Sequence, residues 1–238
     1  MDSATLEFLG GLAHELRTPL GAIGGYAELM ELGVHGPVTP AQQDGLGRIR
    51  RNQALMVSLL NAFMAYAEVA AGDIDLEPQV VSLSQSLDVS IGELSASASS
   101  RAVRLERLPD PIGVRSEITE ADDAVHADRH CLSAVLREVL RDAIESSPVG
   151  GAVQMALSAD GVRARVEVRS SGEPINSETR DAAFLPFHRD GKGSRTSASP
   201  HALSLPHARL LARRMGGDVL ALPDREFRVV VADFPRVA

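Results

Sequence analysis

Apolar residues recur near the N-terminus at Leu6, Leu9, Ala13, Leu16, Leu20, Ile23, Ala27 and Met30, in alternating steps of 3 and 4. This is an a/d seam carried over more than three heptads, and a helix that bears one must lay it against other helices. Gly33, Gly36, Pro37 and Pro40 then mark a loop. A second seam follows at Leu46, Ile49, Gln53, Met56, Leu60, Phe63, Ala67 and Ala70, with one polar member. Beside it runs another stripe, Leu55, Leu59, Ala62, Tyr66 and Val69. The spacing predicts a helical hairpin with more apolar surface than two helices can cover. Two hairpins paired as a four-helix bundle would cover it, so a homodimer is expected. The alternative is that the extra stripe packs on a later domain of the same chain.

The first seam passes through "FLGGLAHELRTPLGAI", residues 8–23. His14 follows seam residue Ala13, which places it at the seam's edge and at least partly in solvent. Arg17 and Thr18, at i+3 and i+4, share its face. Pro19 removes one helix hydrogen bond and is expected to bend the helix just past that turn. The run His-Glu-Leu-Arg-Thr-Pro inside a heptad seam resembles the phosphoacceptor box of two-component sensor histidine kinases. "SLLNAFMAYAEVAAGDIDLEP", at the end of the second seam, is similar to that family's second dimerisation helix and its exit into the catalytic domain.

The resemblance implies that His14 takes up a phosphoryl group through its nucleophilic imidazole. It implies that Glu15 is the general base that polarises the ring N–H. It assigns Thr18 to positioning water in a phosphatase reaction, with Arg17 completing the site. The implied partner is a response-regulator receiver domain, whose aspartate exchanges phosphoryl with His14.

Composition narrows the classes further. With 24 Lys and Arg against 32 Asp and Glu, the net charge is −8, which argues against non-specific nucleic-acid binding. The single cysteine, Cys131, fits a reducing compartment. No apolar run approaches the roughly 20 residues of a membrane span, and "MDSATLEF" carries acid where a secretory leader carries base. A cytoplasmic chain is expected.

After Gly72 the pattern changes. Residues 1–72 read as the dimerisation and phosphoacceptor domain, 73–79 as a linker leading into a first strand, and 80–238 as a second domain. There, helices are expected at 82–99, 129–146 and 203–215. Strands are expected at 102–107, 122–127, 152–158, 161–169, 218–222 and 226–234, with a loop-rich region at 170–200. Helices mixed with mostly antiparallel strands indicate an α+β sandwich. In order and spacing this resembles the kinases' ATP-binding domain, shared with gyrase-type ATPases.

That second resemblance implies ATP and Mg²⁺ as ligands, but its motifs are degenerate. "VLREVLRDAIESSPVGGAV" puts Asp142 where the family's asparagine coordinates Mg²⁺; a carboxylate is itself a hard-cation ligand. Glu138 and Glu145 stand at positions that are often polar or basic. In "VEVRSSGEPIN", Ser170 replaces the aspartate that reads the adenine amino group, Gly172 keeps the first glycine, and Pro174 replaces the second. "AAFLPFHRD" retains the phenylalanine box with Phe184 and Phe187. In "PHALSL", Pro200, Ala202 and Ser204 replace the three glycines whose backbone N–H groups approach phosphates.

Each lost phosphate donor costs about 1–3 kcal/mol, although Lys192 and Arg195 offer compensating charge. "DGKGS" at 190–194 lacks the spacing and preceding strand of a P-loop and reads as a small-residue loop. His126 and His130 flank Asp128, with Cys131 adjoining; a helix start capped by Asp128 explains them better than a metal pair. Cys131 reads as a buried core thiol, and His201 and His207 as structural. The expected function is a His–Asp phosphorelay protein phosphorylated on His14 with impaired or absent ATP binding. The alternatives are a divergent active kinase and a non-catalytic dimeric scaffold.

Overall fold

In a computed structural model of the chain, residues 2–108, 123–176, 180–187 and 200–237 are described. The loop at 190–194, Lys192 and Arg195 lie outside them, as do residues 177–179 and 188–199 of the 170–200 connection. The described residues fall into two compact units, one ending at Ile74 and the other beginning at Asp75.

In the first unit, Asp2 caps helix α1 (Ser3–Glu31) by accepting the Thr5 N–H at 2.8 Å. Thr39 and Gln42 form a reciprocal capping box at the start of α2 (Pro40–Ala71), and Pro40 occupies the first turn, where its missing N–H costs nothing. Gly72, at φ +82°, ends α2 in the left-handed conformation that glycine adopts without strain. The ion pair of Arg50 with Glu31, at 2.6 Å, ties the helices near the loop end. Gln53, the polar seam member, packs over Gly24, where a side chain would meet it at 3.1 Å.

The α1 seam divides in two. Ala13, Leu20 and Ala27 are buried, while Leu16, Ile23 and Met30 stay 43%, 48% and 41% exposed. Each set repeats every seven residues. One hairpin therefore satisfies half of the a/d pattern and leaves the other half as an apolar stripe. Contrary to the expectation that no apolar run approaches a span, α2 is by length and composition apolar enough to cross a membrane. In the hairpin it lies along α1 instead.

The second unit opens with β1 (Pro78–Ser82) and α3 (Leu83–Ser100), then β2 (Arg104–Arg107), β3 (Ala124–Asp128) and α4 (Arg129–Ser146). Next come β4 (Ala152–Ala159), β5 (Arg163–Ser170), α5 (Ser204–Arg214), β6 (Asp218–Leu222) and β7 (Arg228–Pro235). Short 3₁₀ turns occupy Ala182–Phe184 and Pro200–Leu203. Five strands form one sheet in the order β2-β4-β5-β7-β6, antiparallel except for β2 with β4; β1 and β3 pair separately.

Strand β5 shows why the sheet has one covered face. Ala164, Val166, Val168 and Ser170 are buried, and the alternate residues Arg163, Arg165, Glu167 and Arg169 are only half-covered. A period of two sends one set under the helices and the other toward solvent. From above, α4 answers with Leu132, Leu136 and Leu140, all at most 1% exposed. Truncating any of these to alanine is worth about 2–5 kcal/mol.

The elements match the expected α+β sandwich, with small shifts that have local causes. β2 begins at Arg104 rather than 102 because Ala102 sits at φ +55°, off the extended region. β5 begins at Arg163 because Asp160 folds a tight turn by accepting the Val162 and Arg163 N–H groups at 2.9 and 2.7 Å. β1 starts at Pro78, inside the stretch read as linker.

Candidate functional site

On α1 the side chains of His14, Glu15, Arg17 and Thr18 are all exposed. The helix continues unbroken through Pro19 to Glu31. Pro19 has no N–H for the Glu15 carbonyl, so the ladder is weakened one turn after His14. Thr18 Oγ1 lies 3.5 Å from the His14 carbonyl, at the outer limit of a hydrogen bond. Arg17 donates from Nη2 to Asn61 Oδ1 of α2 at 3.0 Å. That contact fixes the face beside His14 against the second helix. Asn61 was not anticipated from sequence; its signal was one polar residue inside the apolar run "SLLNAFM".

In the second unit, Asp142 and Ser146 lie four residues apart on one face of α4. Opposite them is a cross-strand pair, Ser170 of β5 in register with Arg228 of β7. Directly paired residues in an antiparallel ladder point to the same side. Ser170, 1% exposed, places its hydroxyl 3.3 Å from that of Ser146. Arg228 reaches Asp142 with two parallel bonds, Nε to Oδ2 at 2.9 Å and Nη2 to Oδ1 at 3.2 Å. Both side chains are largely covered, at 13% and 15%.

A bidentate fork between carboxylate and guanidinium occupies both oxygens. A divalent ion on the same carboxylate would sit about 4 Å from the guanidinium. At an effective dielectric near 20, that repulsion is about 8 kcal/mol. Asp142 as arranged does not fit a Mg²⁺ ligand.

Gly172 is retained for a packing reason. A Cβ there would lie 2.7 Å from the Ser146 carbonyl oxygen and 2.8 Å from its Cβ, so only glycine passes the end of α4. The segment with replaced glycines runs as the 3₁₀ turn Pro200–Leu203 straight into α5. Ser204, 2% exposed, donates its hydroxyl to Glu138 Oε2 at 2.6 Å. Phe184 packs with α5, where the Arg209 guanidinium stands 4.4 Å from its ring centroid. Phe187, at φ +57°, donates its N–H to the Ala202 carbonyl at 3.3 Å.

Burial pushes the His207 pKa down, against the opposing pull of the Glu138 charge. Cys131 is half-covered, and burial, with the Asp128 charge beside it, raises its thiol to about 11. It is therefore a neutral thiol rather than a nucleophile. Asp128 caps α4 through Cys131 N at 2.9 Å and also accepts the Glu77 N–H at 3.0 Å, so its carboxylate is engaged in structure.

Of the positions singled out from sequence, Asp142, Ser170 and Gly172 converge where α4 crosses β5 and β7. Phe184 belongs instead to the packing of α5. Arg228 was missed. Its signal was a lone cation at the head of the apolar strand "RVVVADF".

Residues 4–72 match the family described as His Kinase A (phospho-acceptor) domain. Residues 127–237 match the family of histidine kinase-, DNA gyrase B-, and HSP90-like ATPases. The chain belongs to the two-component sensor histidine kinase family. It is 25% identical over 214 residues to the histidine protein kinase DivJ of Caulobacter vibrioides, covering 90% of this chain and 34% of DivJ. It is 27% identical over 225 residues to the sensor histidine kinase QseE of Escherichia coli O157:H7, covering 92% of this chain and 44% of QseE. The chain thus spans less than half of these curated relatives.

Among solved structures, full-length ShkA in complex with AMPPNP shares the fold at a TM-score of 0.73 and 23% identity, over 98% of this chain and 46% of that one. Histidine kinase ThkA in complex with the response regulator TrrA does so at 0.65 and 20%, over 97% of this chain and 61% of that one.

Proposed function

We propose that the chain is the phosphoacceptor core of a His–Asp phosphorelay protein, with impaired or absent ATP binding. His14 exchanges phosphoryl with a receiver aspartate. In the forward direction an imidazole nitrogen attacks the phosphorus of the aspartyl phosphate. An N–P bond forms, the acyl P–O bond breaks, the carboxylate leaves, and the ring proton passes to Glu15 or solvent. Arg17, held by Asn61, presents a cation to the phosphoryl oxygens, and Thr18 orients water for hydrolysis. The chain acts as a homodimer in the cytoplasm, two hairpins burying the stripe of Leu16, Ile23 and Met30. The docking of TrrA on ThkA supports a receiver as partner.

The observation that carries this reading is the contrast between the sites. His14 is open on α1, while the carboxylates of Asp142 and Glu138 are engaged by Arg228 and Ser204. The second reading is an active ATP-dependent kinase, favoured by the ATPase family match and by the AMPPNP complex of ShkA.

Two labelling reactions separate them. The chain is incubated with Mg²⁺ and γ-labelled ATP, and separately with a phosphorylated receiver domain. Label acquired only from the receiver, and lost in His14→Ala, supports the proposal. His14-dependent label from ATP supports the kinase. Label from neither leaves a non-catalytic scaffold.

A further inference from the structure

We propose that Arg228 takes the place of the divalent cation at Asp142, so that this domain carries its own tethered positive charge and binds no metal there. The proposal rests on the family reading of the second unit and not on the chemistry of His14. Three observations carry it.

The guanidinium meets both oxygens of Asp142 in a bidentate fork with both side chains largely covered, which is how a carboxylate is neutralised in the absence of another cation. The backbone aims the arginine. Arg228 is in register with Ser170, and Ser170 already faces α4 through Ser146. Arg228 is therefore delivered to the helix one turn before Ser146, at Asp142, whatever its rotamer on an open surface would be. Finally, the neighbouring carboxylate on the same face, Glu138, is engaged by the Ser204 hydroxyl at 2.6 Å and lies 3.5 Å from Arg141. The acids that a hard cation would recruit are thus already committed to side chains of this protein.

A family asparagine at position 142 is neutral and has no need of a cation when the metal leaves. An aspartate needs one at all times. The substitution to Asp142 and the arginine at 228 form one charge-compensated unit.

The test is Mn²⁺ binding, read by electron paramagnetic resonance of the free ion, on the full chain. Wild type and Asp142→Asn are expected to leave the free Mn²⁺ signal equally unchanged. Arg228→Gln keeps a hydrogen-bond donor for Asp142 but removes the charge. It is expected to take up Mn²⁺, and Arg228→Gln/Asp142→Asn is expected to lose that uptake. Stoichiometric uptake by wild type that Asp142→Asn abolishes would overturn the proposal. So would an Arg228→Gln variant that folds, by circular dichroism, and takes up none.

If that variant does not fold, the melting temperature of wild type decides. No change between EDTA and about 10 mM Mg²⁺ at matched ionic strength supports the proposal. A rise of about 3–5 °C, expected for a site of roughly millimolar affinity, refutes it if Asp142→Asn removes the rise. Neither readout depends on phosphoryl transfer, so loss of the relay reading and loss of this one are separable.

Discussion

The hydroxyl of Ser204 and the carboxylate of Glu138 meet at 2.6 Å, joining the first turn of α5 to the middle of α4 across 66 residues of sequence. The contact closes the ground between two segments that the family uses around a nucleotide. Ser204→Ala strips a hydrogen bond from a carboxylate that is only 19% exposed. A loss of about 1–3 kcal/mol in unfolding free energy is expected in urea. A double-mutant cycle with Glu138→Ala should recover at least about 0.5 kcal/mol as coupling; strict additivity would show that the pair does not interact.

Gly172→Ala drives a methyl into the Ser146 carbonyl, with no flexible side chain to yield. The expected loss is about 1–3 kcal/mol, seen as a lower melting temperature. Pairing it with Ser146→Gly should not rescue it, because the nearest contact is with backbone.

Asn61→Ala removes the hydrogen bond that holds Arg17 to α2. Transfer from a phosphorylated receiver to His14 should slow about 3–10-fold with helicity unchanged, while His14→Gln abolishes it. An Asn61→Ala rate equal to wild type would separate Arg17 from the chemistry.

Burial depresses the His207 pKa, so the folded state favours the neutral ring. Its contribution to stability is complete above the ordinary histidine value near 6.5 and is lost as pH falls through the lowered folded value. Wild type should therefore melt earlier below about pH 6.5 than His207→Gln does relative to its own neutral-pH value. Glu138, the facing acid, opposes the shift, so Glu138→Gln should steepen the acid limb.

Leu16→Glu with Ile23→Glu places charge in the exposed half of the α1 seam while leaving Ala13, Leu20 and Ala27 in place. Light scattering should report a dimer for the parent chain, as proposed, and a monomer for the double variant. A dimer that survives both changes would move the interface elsewhere.

What was legible in the sequence was what depends on neighbours a few residues apart. Helix α4 was expected at 129–146 and spans Arg129–Ser146, because Asp128 as cap and the apolar period of the helix are both local signals. The hairpin followed from seam spacing for the same reason. The Arg228–Asp142 fork was not legible, since 86 residues separate its ends and only the β5–β7 register brings them together. Nor was Ala102, whose positive φ is set by the turn it completes rather than by its own preference. His14 was placed at the seam's edge from spacing alone. That Arg17 would lean on Asn61 required knowing how the two helices are rotated against each other.

A residue can outlive its chemistry. Because Ser146 crowds position 172, that site will reject every side chain larger than hydrogen for as long as α4 ends where it does, with or without a bound nucleotide. A surviving motif glycine in such a domain is then a record of helix packing, and counting it toward ATP competence mistakes a steric veto for a vestige of catalysis.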